Sequence, residues 1–391
     1  MTAFLRSRMT RPWPRRTRPL AEPRAICDDL ASWADRWPGA ERRVLDPGLT
    51  VTRPMPRSIA ADGGEGFAEL GTTEVPERAL VKIPGARLCG EVGLVVLPSD
   101  ELVGELVALT PAGRRQVLEQ APEYRDPLPA RPTRRRGDHY AFLGSGQHHY
   151  YHWTHDLVMG ARGLAEVLPP DARLIVPAAM RPWQHETLAT LGLDDHRQVP
   201  FGPDDCWELE NLYVVTPRLK TQIDSPEPFR WFRTAVMDRF GITEAAPSRR
   251  LYLTRRHDNH WRTVNEPEVE ALLARYGFET VAPGELAFRA QVELFGEAEV
   301  IVGTGAGLFN MVFSPPGTKV LQFQERVHMV NALWTEACAM GFEYHYVLGD
   351  TVPNPEAHDL DIHMPLDRLE ASLQAMGLAP RGGARTAGPR S

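Results

Sequence analysis

The stretch Ile301–Gly317, IVGTGAGLFNMVFSPPG, decides the fold class. A short apolar run, Val300-Ile301-Val302, meets glycines at alternate positions, Gly303, Gly305 and Gly307, and Leu308, Met311 and Val312 then fall at helical spacing. The order strand, glycine turn, helix aims main-chain N–H groups and a helix N-terminus at a phosphate. Glycines at such corners also serve close packing, so the surroundings decide between the two readings. Outward from this turn the second half alternates regularly. RRLYLTRR, FETVAP, EVIVG, TKVLQFQE and FEYHYVL read as strands. EPEVEALLARYG, AFRAQVELFGEA, VNALWTEACAMG and PLDRLEASLQAMGL read as helices. Strands alternating with helices of this length predict βαβ units and a parallel sheet.

The first half is less regular. Residues 45–105 hold short β-like runs such as ALVKIP and GLVVLP, and a Pro/Arg-rich loop, APEYRDPLPARPTRRRGD, follows. From Tyr140, HHYYHWTHDLVMGARGLAEVL reads as a helix, DARLIVPA as a strand, WQHETLATLG as a helix and LENLYVVTP as a strand. A proline-rich connection, TPRLKTQIDSPEPF, places the junction. The reading is a basic arm without order over 1–24, an N-terminal α/β domain with a β-rich start over 25–225, a C-terminal α/β domain over 226–380, and a tail without order over 381–391.

Composition narrows the class. The chain has 391 residues, 42% hydrophobic and 24% charged, which suits a globular protein of about two domains. The first 24 residues contain seven arginines against Glu22, a charge of +6 in a chain whose net is −7, so the rest is close to −13. An acidic body argues against nucleic-acid binding, while the arm suits peripheral contact with an anionic membrane. The N-terminus has no apolar core of a secretory signal. Cys27, Cys89, Cys206 and Cys338 are far apart, without a CxxC pair, and are read as reduced thiols. A cytoplasmic protein is the expectation, its arm either a solvated tail or a peripheral contact with an inner membrane.

Three blocks occur in a telling order: H-H-Y-Y-H-W-T-H-D (His148–Asp156), L-Y-L-T-R-R (Leu251–Arg256) followed by R-T-V-N-E (Arg262–Glu266), and the glycine turn with Asn310, Phe313 and P-P-G. Together, over roughly residues 80–350, they resemble glycosyltransferase family 61, including bacterial members associated with capsular polysaccharide synthesis. The resemblance implies a GT-B-like fold, two Rossmann-like domains facing a cleft. It also implies an inverting glycosyltransferase that moves a hexosyl or pentosyl group. The donor would be a nucleotide sugar, UDP-linked by expectation, and the acceptor a glycan or lipid-linked glycan. The chain departs from the family in lacking a histidine just before Gly305-Ala306, and an acidic residue at Gln322.

The residue chemistry fits that resemblance. A departing nucleoside diphosphate needs its charge neutralised, and amides, helix dipoles and basic side chains can do this with no obligatory metal; a divalent ion remains an option. Gly303, Thr304, Gly305, Ala306 and Gly307 offer N–H groups, Asn310 follows on the helix, and Arg255 at a strand end suits a bidentate phosphate contact. Arg256 points to the opposite face and reads as structural. Glu325, ending the next strand, suits ribose hydroxyls. Asn265 is either donor-facing or, with Glu268 at N3, the cap of a capping box.

For the general base the candidates are His152, His155 and Asp156. A His–Asp pair at i, i+4 lets the carboxylate orient the imidazole and raise its basicity. Tyr150 and Trp153 are either sugar-stacking or core. Three alternatives stay open. The His148–Asp156 cluster could bind zinc or iron as a metal-dependent enzyme. A nicotinamide oxidoreductase fits less well, because its fingerprint wants glycine where Leu308 stands. The third is a degenerate transferase acting as a binding protein.

Overall fold

The computed structural model describes residues 25–58, 65–107, 132–144, 146–192, 197–216, 225–258, 261–326, 329–355 and 359–381. The arm 1–24 and the tail from 382 onward lie outside these, as does most of the Pro/Arg-rich loop. The described residues fall into two compact units, one drawn from Arg11–Val51 and Thr73–Pro228, the other from Thr52–Thr72 and Phe229–Ser391. A linear reading assigns everything from 25 to 225 to one domain. In the structure Thr52–Thr72 belongs with the C-terminal residues instead.

The N-terminal unit is built on a mixed sheet. Its parallel part comprises β1 (Thr133–Ala141), β2 (Arg173–Pro177), β3 (Gln198–Phe201) and β4 (Cys206–Val215), in spatial order β4-β1-β2-β3. On the other side of β4, Arg78–Pro84 and Arg87–Cys89 pair antiparallel, and Glu41–Asp46 pairs with Arg78–Pro84. The antiparallel strands are where the unit departs from a doubly wound pattern. The core beneath them, including Val81, Ile83, Ile175, Leu209 and Leu212, is fully buried.

Cys89 and Cys206 lie opposite each other in that antiparallel pairing, and their sulfurs are bonded. This corrects the expectation of reduced thiols: spacing of 117 residues hides a pair that the sheet register brings face to face. Cys27 and Cys338 are free thiols. Burial pushes their pKa values up, to about 11 and about 12 respectively, so neither is a ready nucleophile.

The C-terminal unit follows the regular alternation. Its strands are β5 (Arg249–Leu253), β6 (Glu279–Val281), β7 (Ala298–Gly303), β8 (Lys319–Glu325), β9 (Glu343–Asn354) and β10 (Asp359–His363), in order β6-β5-β7-β8-β9-β10. All pairs are parallel except β9–β10, an antiparallel addition that the sequence did not announce. Val300, Ile301 and Val302 are wholly buried, as befits strands covered on both faces. Helix Glu266–Arg275 turns Val269, Leu272 and Leu273 into this core. Segment 52–72 completes it. Phe67 is fully buried, its ring 5.2 Å from that of Trp334 and 5.0 Å from that of Tyr346, and Arg57 pairs with His345 beside β9. No helix among the described residues is long and apolar enough to cross a membrane.

Candidate active site

In the C-terminal unit β5 and β7 are neighbours, yet β5 leads outward to β6 while β7 leads the other way to β8. This reversal is a topological switch point, and open α/β sheets bind ligands at the carboxyl ends of the strands flanking it. Leu253 and Gly303 are level there. The next residues, Thr254-Arg255 and Thr304-Gly305, therefore emerge side by side. A Cβ built on Gly303 would meet the Leu253 Cβ at 2.9 Å, so only glycine lets the strands close at this point.

The Arg255 guanidinium lies on the bare backbone of Gly305. A Cβ there would fall 1.8 Å from its Nη1, and Gly305 has φ +80°, a conformation that glycine adopts without strain. Arg255 is also paired with Asp258, Nε to Oδ2 3.2 Å. The glycine turn and the arginine are thus one feature. Arg256 turns to Glu270, Glu266 and Thr254, a structural position.

The helix after the turn differs from the expected α-helix. It is a 3-10 helix, Ala306–Phe313, with Gly305 at its N-cap. From Leu308 onward it is buried, whereas Ala306 and Gly307 are half-buried and Thr304 is buried at the turn. Its sequence is apolar on every side, as suits a helix buried all round. Asn310 lies inside this packing, 1% exposed, its amide donating to Gln291 Oε1 at 2.7 Å. Asn265 stands at the N-cap of its helix, but its side chain makes no capping bond, so the capping box is not formed. It exchanges two hydrogen bonds with the Met364 main chain instead, at 2.8 and 2.9 Å. Glu325 ends β8 as expected and accepts from Thr351 Oγ1 at 2.9 Å.

In the N-terminal unit the winding reverses at β1, which leads to β2 on one side and has β4 on the other. The chain leaves the carboxyl end of β1 and enters the histidine block. There the expected α-helix is a π-helix, His152–Met159. Thr154 gives a local cause: its hydroxyl donates to the carbonyl of Tyr150 at 2.7 Å, competing with the main-chain N–H that an α-helix would bring there. Such openings cluster at functional sites.

This helix gathers the three base candidates. His152 Nδ1 lies 2.8 Å from Asp156 Oδ2, and His155 Nδ1 lies 2.7 Å from Asp156 Oδ1. One carboxylate bridges two imidazoles. Burial alone would raise the Asp156 pKa, but charge and hydrogen bonds from His152 and His155 outweigh it and hold the carboxyl far below its usual range. The side chains are unequally accessible: His152 is 28% exposed, Asp156 12% and His155 3%. The His155 ring stacks on Tyr151 at 4.8 Å, which fixes it in the interior. Trp153 is fully buried and donates to Thr187 Oγ1, a core position. His148 turns away, to Glu91 Oε1 at 2.9 Å.

Several residues were invisible to sequence reasoning. A Cβ on Gly146, at φ +78°, would fall 2.9 Å from the His152 ring, and one on Gly160 would fall 2.3 Å from the Asp156 carbonyl oxygen. Arg78 and Asp46 meet the end of the same helix. The only signal for the glycines was their place on either side of the histidine block. Among the described residues no group of three or more His, Cys, Asp or Glu side chains is placed to hold a metal ion.

In comparison with known families, residues 150–321 fit the family described as Glycosyltransferase 61. The matched span takes in His152, Asp156, Arg255 and the glycine turn, and stops short of Glu325. No curated protein matches the chain.

Proposed function

From the match of residues 150–321 to glycosyltransferase family 61, we propose that the chain is an inverting glycosyltransferase of GT-B type, with the donor on its C-terminal unit and the acceptor on its N-terminal unit. The observation that carries this reading is Arg255 laid on Gly305 at the switch point of β5 and β7. There the guanidinium and the N–H groups of Gly305, Ala306 and Gly307 take the diphosphate of a nucleotide sugar, for which we name UDP. Glu325, at the carboxyl end of β8, takes the ribose. Asn265 and Asn310 belong to the donor side, the first bonded to the Met364 main chain and the second to Gln291.

His152 is the base, because it combines the greatest exposure of the three candidates with a carboxylate on Nδ1. Nδ1–H donates to Asp156, which leaves Nε2 to accept the proton of the acceptor hydroxyl. As that oxygen bonds to the anomeric carbon, the bond from that carbon to the diphosphate oxygen breaks, and configuration inverts. The electron pair leaves on the diphosphate, whose charge Arg255 and the amides neutralise. The imidazolium is stabilised by Asp156 until its proton passes to solvent.

No metal is obligatory in this scheme. The acceptor is a glycan or lipid-linked glycan of a cell-surface polysaccharide, reached from the cytoplasmic side, with the arginine-rich arm 1–24 against anionic lipid.

A thermal-shift panel of nucleotides and nucleotide sugars, with EDTA or with added divalent metal, tests this. UDP should raise Tm in EDTA, by ~2.7 kcal/mol of stabilisation at a hundredfold excess over Kd. A response to NAD alone, or none across the panel, overturns the reading.

A further inference from the structure

The helix that bears His152 is held at its far end by an arginine from another strand. Arg78 opens the strand Arg78–Pro84 and its side chain is only 4% exposed. Its Nη1 donates to the carbonyl oxygens of Gly160 at 2.6 Å and Arg162 at 2.9 Å, and its Nε donates to Asp46 Oδ2 at 2.6 Å. The other oxygen of Asp46 accepts from Arg162 Nη2 at 2.7 Å, and Arg162 also pairs with Glu227.

A buried arginine is costly unless its charge is paired and its donors are used. Here Asp46 supplies the charge, but two donor contacts go to the main chain where the π-helix ends. The carbonyls of the last turn are already taken by the main chain, those of Leu157 and Val158 by the N–H of Ala161 and that of Met159 by the N–H of Arg162, and the carbonyls of Gly160 and Arg162 follow just after the helix. Arg78 takes up two carbonyls at that end. Gly160, the C-cap, passes the constraint on: its bare Cα faces the Asp156 carbonyl so closely that a Cβ would fall at 2.3 Å. Only glycine fits at this end of the turn that begins at Asp156, the residue that bridges both imidazoles.

We propose that Arg78 is a positioning residue for the base: by holding the Gly160 and Arg162 carbonyls it keeps the π-register in which Asp156 presents one oxygen to His152 and the other to His155. This rests on His152 acting as the base. A role limited to tying the strand to the helix would make Arg78 matter for stability alone, and the two differ in kinetics.

The test uses the full chain with Arg78→Met and Arg78→Lys, beside Asp156→Asn. The readouts are kcat against pH, donor Kd by thermal shift, and Tm. Arg78→Met should lower kcat ~10-fold or more, a part of the 10²–10⁴ that a positioned base contributes. Donor Kd should stay unchanged, and the acid limb of the kcat profile should move to lower pH, because an imidazole that loses its carboxylate loses basicity. Arg78→Lys, which keeps the charge and one donor direction, should recover part of the rate.

A lowered Tm with kcat and the acid limb unchanged overturns the proposal, and so does a parallel loss of kcat and donor affinity. Where Arg78→Met does not fold, Arg78→Lys carries the same readouts, with a smaller fall in kcat and the same direction of the acid limb. Unchanged kcat in Asp156→Asn overturns the base assignment itself, and is distinguishable because it leaves the donor thermal shift intact.

Discussion

The two units solve a similar placement problem by different means. In each, a parallel strand ends where the winding of the sheet reverses, and a left-handed glycine just beyond it is pressed against a polar side chain: Gly305 against Arg255, Gly146 against His152. Both have a positive φ, +80° and +78°. The support differs. Arg255 is set by the glycine and by Asp258 in its own loop. His152 depends on Asp156, through it on Gly160, and beyond that on Arg78 and Asp46. A cation that meets a fixed anion needs only the right position, since its charge does not change. A base must hold position and basicity together, so its carboxylate has to be fixed as firmly as the ring.

The comparison breaks most visibly if the two sides are not separable. The largest effect expected is from Asp156→Asn or His152→Ala, which should lower kcat ~10²–10⁴-fold while leaving the donor thermal shift in place. Loss of nucleotide binding in either variant would erase the distinction between the units. Arg255→Ala should do the converse and raise the donor Kd ~10–100-fold, the scale of a charge-assisted hydrogen bond. Equal donor affinity in that variant would remove Arg255 from the site.

The glycines sharpen the comparison further. Gly305→Ala should weaken donor binding, because the new Cβ displaces Arg255, whereas Gly146→Ala should lower kcat at saturating donor. Each also sets a side chain at positive φ, with a stability loss of ~1–2 kcal/mol. Interchanged phenotypes would mean that the glycines serve folding rather than the side chains beside them.

The smallest effect is on stability against pH. The folded-state pKa of Asp156 is depressed, so its carboxylate stabilises the protein above the ordinary value of 3.8, and the stabilisation is lost as pH falls below it. The Tm difference between the wild type and Asp156→Asn should be largest from neutral pH down to about 4, at ~4–8 °C for some 2 kcal/mol in a unit of this size, and should shrink in more acid solution. A difference that grows in acid would reverse the assigned sign.

The C-terminal unit was largely legible in the sequence. Alternating apolar runs and helical spacings set β5 to β9 and their helices, and the glycine turn marked the strand end where Arg255 emerges. The turn looked like the opening of an α-helix, yet the helix there is a 3-10 helix, a difference that apolar spacing does not reveal. Asn265 showed capping spacing, but Met364, 99 residues further on, took its side chain. In the N-terminal unit the i, i+4 spacing of His152 and Asp156 was legible, and so was Arg256's structural position in the other unit. The second imidazole on Asp156 was not, because helical spacing does not bring neighbours at i and i+1 to face each other, yet His155 reaches Asp156 here. Nor could spacing reveal the Cys89–Cys206 bond or Arg78, since both depend on strand register across a mixed sheet.

The placement of Phe67 has a consequence for biosynthesis. Phe67 packs on Trp334 and Tyr346, and the carbonyl of nearby Gly66 accepts from Asn331, 265 residues later. At ~5–20 residues per second, a ribosome needs roughly 10–50 s to deliver those partners after segment 52–72 has been made. During that interval the residues on both sides of the segment in sequence, Arg11–Val51 and Thr73–Pro228, can close their own unit. A messenger cut after codon 228 would therefore yield a product that carries an orphaned apolar plug, while one begun at codon 229 would lack it. Neither half is a self-contained translation product, and a faithful two-piece reconstitution would have to return 52–72 to the later piece.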